Sequence, residues 1–183
     1  MIQIQYLALL RGINVGGNNI IKMTDLKICF EAIGFMDVVT YIQSGNVLFK
    51  SDEQDMERLT NKIEKALSDS FNYKSLIVLL TYNQLETIIK QAPKDFGTKP
   101  EEYRYDVLFL KEPFTSEEAI QSVKKREGVD NAYPGKDVLY FSRLISRAGQ
   151  SYLTKIISLP VYQKMTIRNW NTTTRLLGLM KYP

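Results

Sequence analysis

The order of apolar runs and turn residues in the first eighty residues is the feature that most constrains the fold. Runs rich in β-branched and aromatic residues alternate with segments whose apolar side chains recur at helical spacing. The predicted elements are a strand at 6–10, a helix at 24–33, strands at 36–43 and 47–50, a helix at 56–71 and a strand at 75–80. This β-α-β-β-α-β order is that of the ferredoxin-like, or split βαβ, arrangement.

The second half repeats this pattern less regularly. Its predicted elements are a strand at 105–110, a helix capped by Thr115, strands at 129–133 and 138–142 joined through Pro134-Gly135, a helix at 150–158, a short strand at 165–167 and a final helix. We therefore predict an α+β protein whose second half is related to its ferredoxin-like first half. The predicted divisions are a first subdomain at 1–81, a helix and linker at 82–102, and a second subdomain with a C-terminal helix at 103–183.

Composition excludes several classes of chemistry. The 183 residues include no histidine and one cysteine, Cys29. Catalysis by Ser–His or Cys–His pairs and zinc sites built from histidine are therefore excluded, no metal site is predicted, and the sequence identifies no cofactor. Cys29 lies on the apolar stripe of the first helix, so we expect it to be buried and unreactive. No apolar run is long enough to cross a membrane and no leader is recognised, so we expect a cytoplasmic protein without a membrane partner.

Charge is distributed unevenly along the chain. The net charge is +4, and residues 138–183 contain seven basic side chains and no acidic one. This asymmetry indicates an anionic partner, either nucleic acid or a phosphorylated small molecule. The alternative is a basic face that is merely solvated.

A Gly- and Asn-rich loop follows the first predicted strand. Because the crossover of a split βαβ unit is right-handed, residues 11–19 and the turn at 43–46 are expected at the same end of the sheet. Backbone N–H groups, a guanidinium and carboxamides at one place suit a phosphate or carboxylate. The predicted ligand-binding residues there are Arg11, Asn14, Gly16, Gly17, Ser44 and Asn46, with Lys22 adding a positive charge. The alternative is that the glycines only turn the chain and the amides only cap loops.

The second unusual segment is TIRNWNTTTRLL, which begins at Thr166. It places Arg168, Asn169 and Trp170 together before a helix, and an arginine beside a tryptophan can clamp a planar anion. In the alternative, Asn171 or a neighbouring threonine caps the final helix and Trp170 fills the seam between the halves.

Four motifs together resemble one known family. They are LLRGINVGG from Leu9, IKM from Ile21, TYIQSGNVLF from Thr40 and TIRNWNTTTRLL from Thr166. They resemble the bacterial family called domain of unknown function 1697. The resemblance implies a compact α+β fold of ferredoxin-like character in a cytosolic bacterial protein, and it implies no activity and no catalytic residue.

Three classes of function are compatible with these features. The first is binding of an anionic ligand in a cleft between the two halves, lined by the loop, the turn and the Thr166 segment. Binding of RNA on the first sheet is disfavoured, because residues 46–49 lack the alternating aromatics of that module. The alternatives are a histidine-independent enzyme acting on a small molecule, with Arg11 and Arg168 orienting it, and a protein-interaction module.

Overall fold

A computed structural model describes residues 3–180. They form two compact units: the first runs to Leu85 and resumes at Leu176, and the second is Glu86–Arg175. Each unit contains one four-stranded antiparallel sheet. The subdomain boundaries predicted from the sequence, 1–81, 82–102 and 103–183, stay a prediction. Lys181, one of the basic residues counted above, lies outside the described residues.

The first unit has the predicted order of strands and helices. Its elements are β1 Ile4–Leu10, α1 Met23–Ala32, β2 Met36–Tyr41, β3 Asn46–Ser51, α2 Met56–Phe71, β4 Ile77–Thr81 and the start of α3 Tyr82–Lys90. The strand order in the sheet is β2-β3-β1-β4, which is the ferredoxin-like order. The fold predicted for this half is therefore confirmed.

An aromatic cluster forms the centre of the first unit. The ring of Phe49 on β3 stacks on Tyr6 at 5.6 Å and on Phe35 at 4.3 Å between centroids, and Phe30 of α1 meets its edge at 5.5 Å. Helix α2 packs on this core because its apolar side chains recur every four residues. Its N-terminus is capped by Asp55, whose carboxylate accepts hydrogen bonds from two backbone N–H groups at 3.0 Å.

The second unit follows the same plan, except that three 3₁₀ helices stand where the first unit has the long helix α2. Its elements are the rest of α3, β5 Tyr103–Leu110, α4 Ser116–Ser122, β6 Asp130–Gly135, β7 Val138–Leu144, three 3₁₀ helices at Ile145–Gln150, Tyr152–Ser158 and Pro160–Lys164, β8 Met165–Asn169 and the start of α5 Trp170–Met180. The helix predicted at 150–158 is thus wrong in type. Ser151 begins a new turn by accepting a bond from the N–H of Leu153, and Pro160, which lacks an N–H, opens another, so a continuous α-helix does not form.

The two sheets have the same strand order and the same register. The second sheet runs β6-β7-β5-β8. Tyr6 of β1 faces Phe49 of β3, and Asp106 of β5 faces Phe141 of β7 at the equivalent step. The predicted relation between the halves is therefore confirmed at the level of individual residue pairs.

Hydrogen bonds at the ends of the strands repeat as well. The N–H of Leu10 donates to the carbonyl of Gly45 at 2.8 Å, and the N–H of Leu110 donates to that of Asp137 at 3.0 Å. Gly45 and Asp137 both have left-handed backbones, with φ of +73° and +60°. The next amides also correspond, since Arg11 bonds to Leu76 and Lys111 bonds to Lys164, both at 2.9 Å.

The turns differ from the predictions at two places. Pro134 and Gly135 belong to β6, and the second hairpin turns at Lys136-Asp137. In the first hairpin Asn46 is part of β3, and the positive φ angles lie at Ile42 and Gly45. In each hairpin, one strand therefore includes residues that the sequence assigned to the turn: β3 begins at Asn46, and β6 continues to Gly135.

Candidate functional site

The loop after β1 is a small hairpin. Val15 and Asn18 form an antiparallel bridge, and the N–H of Asn18 donates to the carbonyl of Val15 at 3.0 Å. Gly16 and Gly17 occupy the two central positions with φ of +59° and +79°. A two-residue turn with positive φ at both positions strongly favours glycine. The tip is exposed to solvent.

The Asn14 side chain holds this hairpin in place. Its Oδ1 accepts from the N–H of Ile21 at 2.9 Å, and its Nδ2 donates to the carbonyls of Ile21 at 3.0 Å and of Gln43 at 2.9 Å. Asn19 adds a bond from its Nδ2 to the carbonyl of Gly12 at 2.9 Å. The loop and the hairpin turn therefore meet at one end of the first sheet, where the topology predicts them.

Ser44 and Asn46 stabilise the turn itself. The Asn46 side chain is fully buried, and its Nδ2 donates to the carbonyl of Tyr41 at 2.9 Å and to Oγ of Ser44 at 3.0 Å. Gly45 between them leaves no room for a side chain, because a Cβ would lie 2.8 Å from atoms of Ile13 and Leu10. In this arrangement Asn14 and Asn46 shape the end of the sheet, and the exposed glycines of the hairpin form its surface.

Arg11 lies at the same end, half-buried beside Tyr73. Burial raises the pKa of the Tyr73 hydroxyl, and the positive charge of Arg11 partly offsets this effect. Tyr73 follows the end of α2, where Asn72 takes a left-handed backbone with φ of +50°. Gln43 lies in the turn predicted to meet the loop, but Tyr73 is a neighbour of the site that the motifs did not indicate. Its place directly after the C-cap of α2 was the available signal.

Arg168 occupies a different environment. Its side chain is only 6% exposed, and Nη1 donates to Oγ1 of Thr166 and to the carbonyl of Ile167, both at 2.8 Å. Burial lowers the pKa of its guanidinium to about 10. These bonds to its own strand are typical of a structural arginine. The cleft predicted to unite Arg168 with the Arg11 loop stays a prediction.

Asn169 and Trp170 form the start of α5. The Oδ1 of Asn169 accepts from the N–H of Thr172 at 2.7 Å, so Asn169 is the N-cap and the alternative cap at Asn171 is wrong. The indole of Trp170 packs edge-on against Phe96 with centroids 5.1 Å apart, and it also lies against Gly97. The described ring contacts of Trp170 are thus made within the second unit.

Within residues 3–180, three further features bear on function: the burial of Cys29, side-chain groups able to hold a metal ion, and helices able to cross a membrane. Cys29 is buried in the core of the first unit, as predicted, with its Sγ 3.5 Å from Oγ of Ser70. No group of three or more acidic or cysteine side chains in this range is arranged to hold a metal ion. None of the helices described there is both long and apolar enough to cross a membrane.

Comparison with known proteins gives a family and a structural relative. The family model for proteins of unknown function, DUF1697, matches residues 4–140. A solved structure of a conserved bacterial protein from Streptococcus pneumoniae is similar, with a TM-score of 0.85 and 26% identity over 98% of this chain and 100% of that chain. No curated protein matches.

Proposed function

Because the chain belongs to the family of proteins of unknown function DUF1697, whose description names no activity, we propose a function from its own residues. The protein binds an anionic ligand, a phosphorylated small molecule or nucleic acid, at the end of the first sheet formed by residues 11–22 and the turn at 42–45.

The observation that carries this proposal is the pair of amides at the hairpin tip. Among the residues that the structure describes, none accepts a hydrogen bond from the N–H of Gly16 or Gly17. Consecutive N–H groups in a left-handed turn form a concave donor surface for an anion, and here the tip is exposed so that a ligand can reach it. A glycine without Cβ also lets the anion approach the backbone closely.

Positive charge lies on both sides of this hairpin. Arg11 precedes it, and the exposed Lys22 follows Ile21, the residue whose backbone Asn14 binds. Because the Asn14 carboxamide holds the hairpin against Ile21 and Gln43, the donors are fixed before a ligand arrives, which lowers the entropic cost of binding.

Lys22 offers the cleanest test. Its side chain is exposed, so Lys22→Gln removes one charge without disturbing the core. We expect the affinity for inorganic phosphate, followed through the amide resonances of Gly16 and Gly17, to fall about two- to fivefold, as for an exposed charge pair. The matched control is Lys65→Gln on α2, an exposed lysine paired with Asp69, which should leave the affinity unchanged.

Two results would contradict the proposal. One is the absence of any phosphate-induced change at Gly16 and Gly17. The other is an equal loss of affinity in both lysine variants, which would indicate a general effect of net charge rather than a site.

A further inference from the structure

A hollow of about 250 Å³ lies on the sheet of the second unit, on the face that points away from α4. Strand alternation explains its position: Leu108 and Leu110 of β5 face the α4 core, so Tyr103 and Tyr105 project to the opposite face. Ser142 of β7 pairs with Tyr105, and Asn131 of the edge strand β6 pairs with Ser142. Tyr105, Ser142 and Asn131 therefore form one row across three strands, beneath the hollow.

Aromatic rings form the walls of the hollow. The rings of Tyr103 and Tyr105 lie 6.1 Å apart and tilted by 43°, and Phe96 meets Tyr105 edge-on at 4.9 Å. Phe96 is in turn held by the perpendicular ring of Trp170. Tyr133 on β6 lines the other side and is 43% exposed, so its ring is accessible to a ligand. Rings fixed in this way provide a platform for a planar partner.

The floor of the hollow carries a hydroxyl that a ligand can reach. Ser142 is only 6% exposed, and its side chain makes no hydrogen bond to any residue in the range 3–180. The hydroxyl oxygen itself keeps some exposure at the floor of the hollow, so it can donate to or accept from a bound ligand. Beside it, the Asn131 carboxamide supplies a donor and an acceptor at the rim. The hollow thus combines ring faces with a short polar edge.

Charge favours an anionic ligand on this unit. Residues 86–175 contain fifteen Lys and Arg against eleven Asp and Glu, whereas the rest of the chain contains nine of each. The net charge of +4 is therefore carried by the second unit, and Lys94 lies on the wall of the hollow together with one carboxylate, Asp95. An uncharged sugar would also stack on tyrosines, but it would gain nothing from this charge.

We propose that this hollow binds a nucleobase, stacked on the tyrosines with its edge towards Ser142 and Asn131. Its volume suits one base, and its open side leaves room for the attached phosphate near Lys94. The base can belong to a free nucleotide or to a single-stranded nucleic acid. This site is separate from the glycine hairpin of the first unit and does not depend on it.

The experiment uses the full-length protein and the fluorescence of its only tryptophan, Trp170, which contacts Phe96 on the wall of the hollow. The probes are adenosine, AMP, an eight-nucleotide single-stranded RNA, inorganic phosphate and maltose. Adenosine and AMP are expected to change the Trp170 fluorescence and phosphate alone is not, which distinguishes binding in this hollow from binding of phosphate at the hairpin. An RNA that binds at least tenfold more tightly than AMP identifies a strand as the source of the base, and equal affinities identify a free nucleotide.

Variants of Tyr133 provide the decisive comparison. Tyr133→Ala is expected to weaken binding about 5- to 150-fold, as for loss of one base-stacking ring, whereas Tyr133→Phe keeps the ring and should remain within about twofold of the parent. The matched control is Val39→Ala, because Val39 occupies the equivalent exposed position on β2 of the first sheet. It should leave binding unchanged.

Three outcomes would overturn the proposal. They are no binding of adenosine, AMP or RNA at millimolar concentration, binding of maltose in preference to AMP, and an affinity that Tyr133→Ala leaves unchanged. Circular dichroism of each variant separates a loss of binding from a loss of folding, and Ser142→Ala, which removes only a hydroxyl, gives a second variant that should weaken binding.

Discussion

The two units place different chemistry on the same backbone. Tyr6 in the first sheet and Asp106 in the second occupy the same step of the ladder, each facing a phenylalanine. Tyr6 joins an aromatic cluster, whereas Asp106 is buried beside Arg143, with Oδ2 3.4 Å from Nη2. Positions such as Leu10 and Leu110 remain alike, which indicates that a few apolar strand positions set the register and the others are free to diverge.

The largest expected difference in stability is between Gly45 and Asp137, the residues with left-handed backbones that precede β3 and β7. In Gly45→Ala the new Cβ takes an unfavourable φ and meets Ile13 and Leu10 at 2.8 Å. We expect a loss of about 3 kcal/mol in the free energy of unfolding, measured with urea. Asp137→Gly, at the matching position, relieves a left-handed aspartate and should change stability by less than about 1 kcal/mol. Equal losses at the two positions would break the comparison.

Arg168 gives the next largest effect. Its equivalent in the first sheet is Leu80, since Leu7 faces Leu80 where Val107 faces Arg168. Arg168→Ala should cost about 2 kcal/mol, because it removes buried packing and two hydrogen bonds. Arg168→Leu, which copies the first sheet, should cost less. A variant that keeps full stability but loses phosphate affinity would instead make Arg168 a ligand-binding residue.

The helix caps at the ends of the two sheets are expected to contribute about equally. Thr81 caps α3 and Asn169 caps α5 at the same register, opposite Tyr6 and Asp106. Replacing either by Ala should cost about 1 kcal/mol in thermal or urea unfolding. Asn171→Ala is the control and should stay within ~0.5 kcal/mol, because its exposed side chain is not the cap. A larger loss at Asn171 than at Asn169 would contradict the assignment of the cap.

The smallest expected effect is a difference in pH dependence. Burial raises the pKa of Asp106 above its ordinary value of 3.8, although Arg143 opposes the rise. The folded protein therefore holds this proton more tightly than the unfolded chain, and stability falls as the pH rises from 3.8 through the raised pKa. As the pH rises through this window, the free energy of unfolding of Asp106→Asn should therefore increase relative to that of the parent. Tyr6→Phe, at the equivalent position, should show no such change below pH 8, because a tyrosine hydroxyl does not titrate there.

The strands and the first-half helices were predictable because their signal is local. Alternation and helical spacing depend on neighbours in sequence, and residues such as Phe30 and Leu59 show it clearly. The 3₁₀ segment was not predictable in type, because apolar spacing near Leu153 and Ile156 is compatible with either helix and Pro160 settles the outcome.

The site was predictable only in part. The glycine pair and its position beside the hairpin turn follow from topology, but the bonds from Asn14 to Ile21 and Gln43 depend on tertiary structure. The burial of Arg168 was not visible in sequence, because Val107 of β5, its partner across the sheet, lies about sixty residues earlier in the chain. The spacing of Tyr103 and Tyr105 was a usable signal, since residues two apart on a strand share one face.

A chemical-shift map of the full-length protein titrated with inorganic phosphate tests the central claim most directly. The claim is that two units with one backbone plan differ in their surfaces, so that only the first carries an anion site at the loop after its first strand. We predict saturable shifts at Gly16 and Gly17 and none at the equivalent segment, residues 112–115 after β5. Equal shifts at both segments, or shifts at 112–115 alone, would contradict the account.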